Sequence, residues 1–178
     1  LVSTPVSNLS LLAGASDILG LANPHYGQKE RLLRHLNKLP ADELILDLGA
    51  GTSYAVLDLW NLARRRLVVL TPDPTSIQNT YAFLKTALHR QIKRTLCRKS
   101  APYQEGRRII LEAIEGTSEQ RAGSIRTLRE RLEGTPETLG ALDELVDAFR
   151  PWLVMNMATR QEGATTAAAL GHVATEFL

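Results

Sequence analysis

Three polar clusters in this chain have residue types and spacing suited to chemistry, and each follows directly on an apolar run. The first is residues 44–53, "LILDLGAGTS". Asp47 closes the apolar run, and a carboxylate so placed can hold a magnesium ion through water, because magnesium keeps much of its hydration shell. Gly49 and Gly51 can take positive φ, so their amides can face an anionic oxygen. Thr52 or Ser53 can instead cap a helix, and the cluster then reduces to an ordinary strand–loop–helix connection. The second cluster is residues 71–76, "TPDPTS", where two prolines stiffen a loop and Thr75 or Ser76 begins a helix. The third is Asn156, at the end of "WLVMN", whose carboxamide can hydrogen-bond a base or satisfy loop backbone.

A second kind of chemistry is electrostatic. Residues 85–108 hold eight basic side chains, Lys85, Arg90, Lys93, Arg94, Arg98, Lys99, Arg107 and Arg108, against Glu105 alone. The stretch can engage a protein partner, nucleic acid or anionic lipid. It is equally the solvated face of a helix whose other face carries Leu84, Leu88 and Ile92, and Tyr103 is the only aromatic nearby. His25, His35, His89 and His172 are scattered without metal-site spacing and are expected at the surface. Cys97 sits among cations that would lower its pKa, or it is an inert structural thiol.

These residues must be positioned by alternating elements. Strands are expected at 9–15, 41–49, 66–72 and 152–157, each apolar and bounded by glycine, proline or polar residues. Helices are expected at 28–39, with Leu32, Leu33, Leu36 and Leu39 on one face, at 55–62, and from Ser76 onward, where Tyr81, Leu84, Leu88, Ile92 and Leu96 form a stripe. Three more helical patterns fall at 105–115, 118–133 and 136–149, the last with Thr135 as its cap and Pro136 in its first turn. A final helix is expected at 163–178. Apolar strands alternating with helices predict an α/β domain with a mostly parallel sheet flanked by helices. In such sheets ligands bind beyond the carboxyl ends of the strands. The chain reads as a single domain, 1–178, with a helical elaboration at 100–150.

Composition narrows the field. The chain of 178 residues is 44% hydrophobic and 22% charged, with a formal net charge of +2, too small to imply nucleic-acid binding by itself. A single cysteine excludes an intrachain disulfide and a multi-cysteine metal site, in keeping with a cytoplasmic setting. No apolar run approaches the length of a membrane-spanning helix. No G-x-G-x-x-G follows a strand, which argues against a Rossmann dinucleotide enzyme.

The strings "LILDLGAGTS", "VVLTPDPTSIQNTYAFLK" and "FRPWLVMNM" together resemble the MinD/ParA group of deviant-Walker P-loop ATPases, above all the MinD-like branch with flagellar-number regulators. The resemblance implies a P-loop NTPase-like fold of the SIMIBI type. It makes Asp47 the Walker B carboxylate acting on magnesium and its waters, and Gly49 and Gly51 the switch positions sensing the γ-phosphate. It sets Thr71, Pro72 and Asp73 beside the nucleotide and Asn156 on adenine. ATP and magnesium would be the cofactors of the intact protein, which would be a nucleotide-dependent homodimer. It would be cytoplasmic with transient membrane association, and it would regulate the position or number of a cellular structure through a protein partner. The family's glycine-rich phosphate loop is missing, since the chain holds no Gly-Lys dipeptide. The sequence therefore reads as an incomplete domain, expected neither to hold ATP nor to hydrolyse it by itself.

Overall fold

The computed structural model describes residues 1–12, 31–32, 34–36, 38–98, 103–119 and 121–177. Their order is β1 (Val2–Ser3), β2 (Ser10–Leu11), α1 (Tyr54–Leu62), β3 (Leu67–Leu70), α2 (Pro74–Leu96), α3 (Gln104–Glu115), α4 (Ile125–Arg131), α5 (Pro136–Asp147), β4 (Trp152–Met155) and α6 (Arg160–Phe177). Contacts divide the chain into two compact units, Leu1–Asp47 with Ser53–Ala55, and Leu48–Thr52 with Val56–Leu178.

The first unit holds β1 and β2, paired antiparallel with Val2 opposite Leu11. Asn8 takes a left-handed φ of 62° in the turn, a conformation that Asn tolerates better than most residues, and the Thr4 hydroxyl donates to the Leu9 carbonyl at 2.8 Å. The strand expected at 9–15 is thus only two residues long within the described part. Residues 31–32 and 34–36 are helical; the rest of the helix expected at 28–39 falls partly outside the described residues.

The second unit is built on α2. Its 23 residues span about 34 Å at the usual helical rise. Asp73 accepts from the Ser76 amide and Pro74 opens the first turn, so the cap lies two or three positions before the Thr75 or Ser76 expected from sequence. Lys93 and Arg94 in the last turn complement the helix dipole. One stretch of α2, Leu84 and Ala87, packs with Leu57 and Trp60 of α1, and Val68 and Phe149 join that cluster. The remainder, Leu88, Ile92 and Leu96, packs with Ile110 and Ala113 of α3, Ile125 and Leu128 of α4, and Leu142 of α5. α4 is shorter than the helix expected at 118–133, because Ser124 rather than Ser118 caps it, accepting from the Thr127 amide. Thr135 stands at the cap of α5 as expected, but its hydroxyl donates to the Leu132 carbonyl and caps nothing.

The expectation of a mostly parallel sheet flanked by helices, P-loop NTPase-like and of the SIMIBI type, is overturned. The described residues hold two sheets of two strands each, and only β3–β4 is parallel. The run at 44–47 forms no strand, and Ile45 is 86% exposed. A strand exists by virtue of a partner ladder, and this run has none, so its β-branched and apolar residues are not enough. The β3–β4 ribbon is covered on one face only. Leu70 is buried and Val68 packs on α1 and α2, whereas Leu67 and Val69 are exposed, the period-two alternation of a one-sided sheet. Most of the core is helix packed on helix.

Candidate functional site

Thr71, Pro72 and Asp73 leave the end of β3, and Asn156 leaves the end of β4. The ribbon is in register, with Leu70 opposite Met155. The Asn156 amide donates to the Leu70 carbonyl at 2.8 Å, which extends the ladder one residue past the strands. Two of the three polar clusters, far apart in sequence, therefore meet on one rim. Both following helices, α2 and α6, begin there and pack on each other.

Each polar group on the rim has a local task. The Thr71 hydroxyl donates to one carboxylate oxygen of Asp73, and the Ser76 amide donates to the other at 2.9 Å. The Ser76 hydroxyl in turn accepts from the Thr71 amide at 3.0 Å. These bonds, the Thr71 hydroxyl foremost, hold the Asp73 carboxyl below its ordinary value, so it stays ionised. At α6, Thr159 and Glu162 form a capping box. The Thr159 amide and hydroxyl donate to Glu162 Oε2 at 2.9 and 2.8 Å, and the amide above all lowers the Glu162 pKa. The side-chain oxygen of Asn156 accepts from Met157, whose φ of 53° turns the chain sharply. Its Nδ2 is left as the rim's open donor among the described residues.

Asp47 lies in the first unit and is exposed, while Gly49 and Gly51 lie in the second. Gly51 takes a φ of 113°, a backbone conformation for which glycine is suited, and a Cβ at either glycine would meet nothing within 4 Å. By itself the rim leaves few groups for a magnesium triphosphate. Asp73 and Thr71 are spent on each other and on the α2 cap, and Arg160 is the only cation among residues 70–76 and 156–162. Among the described residues no group of three or more His, Cys, Asp or Glu could hold a metal ion.

The basic stretch is largely paired within the fold. Arg90 and Arg94 both reach Asp58, a buried carboxylate on α1, at 2.9 and 3.1 Å. Lys93 pairs with Glu115, and Arg108 pairs with Glu112 one turn on. Lys85 donates to the Gly123 carbonyl at 2.9 Å. Arg98 is exposed, and Lys99 lies outside the described residues. Asp58 was visible in the sequence as the one charge in the apolar helix "YAVLDLWNL", a signal that it needs a buried partner.

Comparison with family models, with curated proteins and with solved structures finds no match to this chain.

One sequence expectation fails at a single residue, and one open alternative is decided. His89, expected at the surface, is partly buried, and desolvation, with Lys85 adding to it, lowers its pKa to about 4. Cys97 is buried, and that burial raises its pKa despite Arg107 and Lys93. It is the inert thiol rather than the activated one. No helix among the described residues is long and apolar enough to cross a membrane.

Proposed function

We propose that this chain is part of an ATP-dependent molecular switch of the MinD/ParA kind, which regulates the position or number of a cellular structure. The observation that supports this reading is the strand-end rim. Two in-register parallel strands bring Thr71, Pro72 and Asp73 beside Asn156, the pairing that the sequence resemblance gives to the nucleotide site. The resemblance assigns Asp47, Gly49 and Gly51 to nucleotide binding in the intact protein, with ATP and magnesium as the ligands. The setting would be cytoplasmic, with transient association with a membrane surface. A nucleotide-dependent homodimer and an activating protein partner belong to the same proposal.

The sequence holds no Gly-Lys dipeptide, hence no phosphate loop of that family to grip the β- and γ-phosphates at the proposed nucleotide site, and in phosphoryl transfer positioning and charge neutralisation are nearly the whole of catalysis. We therefore expect no ATP turnover from these 178 residues. A fluorescent ATP analogue titrated with magnesium, alongside a phosphate-release assay, tests this. Tight binding with turnover by the chain alone would sink the claim of inactivity. In the longer protein, Asp47→Asn is expected to abolish turnover, and undiminished turnover would remove Asp47 from its assigned role.

The basic helix gains little support as a polyanion surface, because its arginines at 90 and 94 are committed to Asp58. The open face of the ribbon favours a protein partner instead. Leu67, Val69 and Trp152 are 56%, 63% and 69% exposed, a cluster of apolar residues that water solvates poorly.

A further inference from the structure

We propose that a cavity between α2, α3 and the loop that precedes α4 is a binding site for a phosphate monoester, distinct from the strand-end rim. The cavity measures about 480 Å³ and is lined by Lys85 and His89 of α2, Ala113 and Ile114 of α3, and Ser118 and Arg121 of the loop, among others. Backbone bonds hold the described residues of the loop. The Ala122 amide donates to the Ala113 carbonyl at 2.9 Å, the Arg121 amide to the Thr117 carbonyl at 3.0 Å, and Ala122 is buried against α3.

Charge decides the ligand class. Lys85 and Arg121 face this space, and among the described residues neither pairs with a carboxylate. The Lys85 ammonium is held by the Gly123 carbonyl and lies 6.0 Å from the Tyr81 ring. Arg121 spends Nε on the Gly116 carbonyl at 3.0 Å, and its two terminal nitrogens have no partner among the described residues. Nearby, Lys93 is paired with Glu115, Arg108 with Glu112 and Arg129 with Asp143. Glu119 sits in the loop but does not line the cavity. Two unneutralised cations beside a serine hydroxyl and an imidazole form a donor set for a dianionic phosphate. The arginine fork supplies geometry and the lysine supplies a point charge. Ala113, Ile114 and Ala122 form an apolar wall beside them, which suits the organic part of an ester better than a bare ion.

The site shares no residue with the rim, so it stands whether or not the nucleotide reading does. The test uses phenyl phosphate and inorganic phosphate at low ionic strength, followed by amide chemical shifts and by calorimetry. Phenyl phosphate is expected to saturate with a Kd of about 1 mM or tighter and to bind at least about threefold better than inorganic phosphate. The shifts should centre on Gly116, Ser118, Arg121 and Gly123. Arg121→Gln and Lys85→Met should each weaken binding about tenfold, while Arg108→Gln, on the exposed side of α3, should leave it unchanged. Both site variants alter exposed or half-exposed side chains, and their melting temperatures identify any variant that fails to fold. Binding that is absent, that shifts Asp73 to Ser76 instead, or that weakens equally in Arg108→Gln overturns the proposal.

Discussion

Replacing Gly106 by alanine tests the helical layer with a prediction whose sign, not only its size, is at stake. Gly106 lies in α3, buried against Thr138 of α5. A Cβ built there would stand 2.5 Å from Thr138 Oγ1 and 2.7 Å from Thr138 Cβ, and nearer still to Cγ2. Rotating the threonine moves Oγ1 and Cγ2 away but leaves its Cβ in place. Ordinary contact begins near 3.4 Å, so the two helices must part by about 0.7 Å, the difference between 3.4 and 2.7 Å. That loosens Ile110 and Leu142, which are both fully buried. Overpacking of this kind costs about 3 kcal/mol when backbone has to move. Alanine recovers about 1 kcal/mol over glycine through helix propensity. The expected net loss is about 2 kcal/mol.

Urea unfolding followed by far-UV circular dichroism reads this as a fall of about 1 M in the midpoint, for an m-value of about 2 kcal/mol per molar. The same substitution at Gly140, exposed in α5 with nothing within 4 Å of its Cβ, should raise stability by about 0.5–1 kcal/mol. In a Thr138→Gly background the Gly106→Ala penalty should shrink, the signature of direct coupling. A midpoint unchanged or raised by Gly106→Ala would refute the packing of α3 on α5.

Other outcomes follow from the same geometry. Asp58→Ala should lower stability by about 2–3 kcal/mol, somewhat below the loss at a fully buried pair, because the Arg94 side chain is 34% exposed; adding Arg90→Met should recover part of it, read by the same urea titration. His89 has a folded pKa of about 4 against an ordinary 6.5, so the unfolded chain binds the proton more readily. Its contribution is fully present above pH 6.5 and is lost as pH falls toward 4, at about 1.4 kcal/mol per pH unit at most. Stability measured against pH in His89→Gln should lack that slope, and an identical slope would place the histidine in solvent. Cys97, buried with a raised pKa, should react with a chromogenic disulfide at neutral pH only over hours, and at once in denaturant. Fast labelling of the native chain would contradict its burial.

What the sequence discloses and what it conceals divide along one physical line. The stripe Tyr81, Leu84, Leu88, Ile92 and Leu96 predicts α2 because a long amphipathic repeat is a local property, legible without neighbours. "RLVVL" and "WLVMN" were likewise recognisable as strands, and the rim that joins Asp73's loop to Asn156 follows from their pairing. "LILD" looks no different from either, yet makes no strand, because short apolar runs carry no record of whether a partner ladder exists. The partners of Asp58 and the setting of His89 escape for a related reason. Their roles depend on partners tens of residues away: Arg90 and Arg94 for Asp58, and the loop before α4 for His89. The protonation of His89 and Cys97 follows burial, which no local pattern expresses.

The two tryptophans of this chain occupy opposite environments. Trp60 is 6% exposed, edge-on to Phe83 with ring centroids 5.1 Å apart, with the Arg66 guanidinium over its face at 5.3 Å. Trp152, on β4, is 69% exposed. The intrinsic emission of the protein is therefore a sum of a blue, shielded component and a red, quenchable one. Acrylamide should extinguish the red part first, and anything that settles on the open face of the ribbon should shift that part alone. The molecule thus carries its own optical gauge of occupancy at β4, with an internal reference on α1, and needs no attached dye.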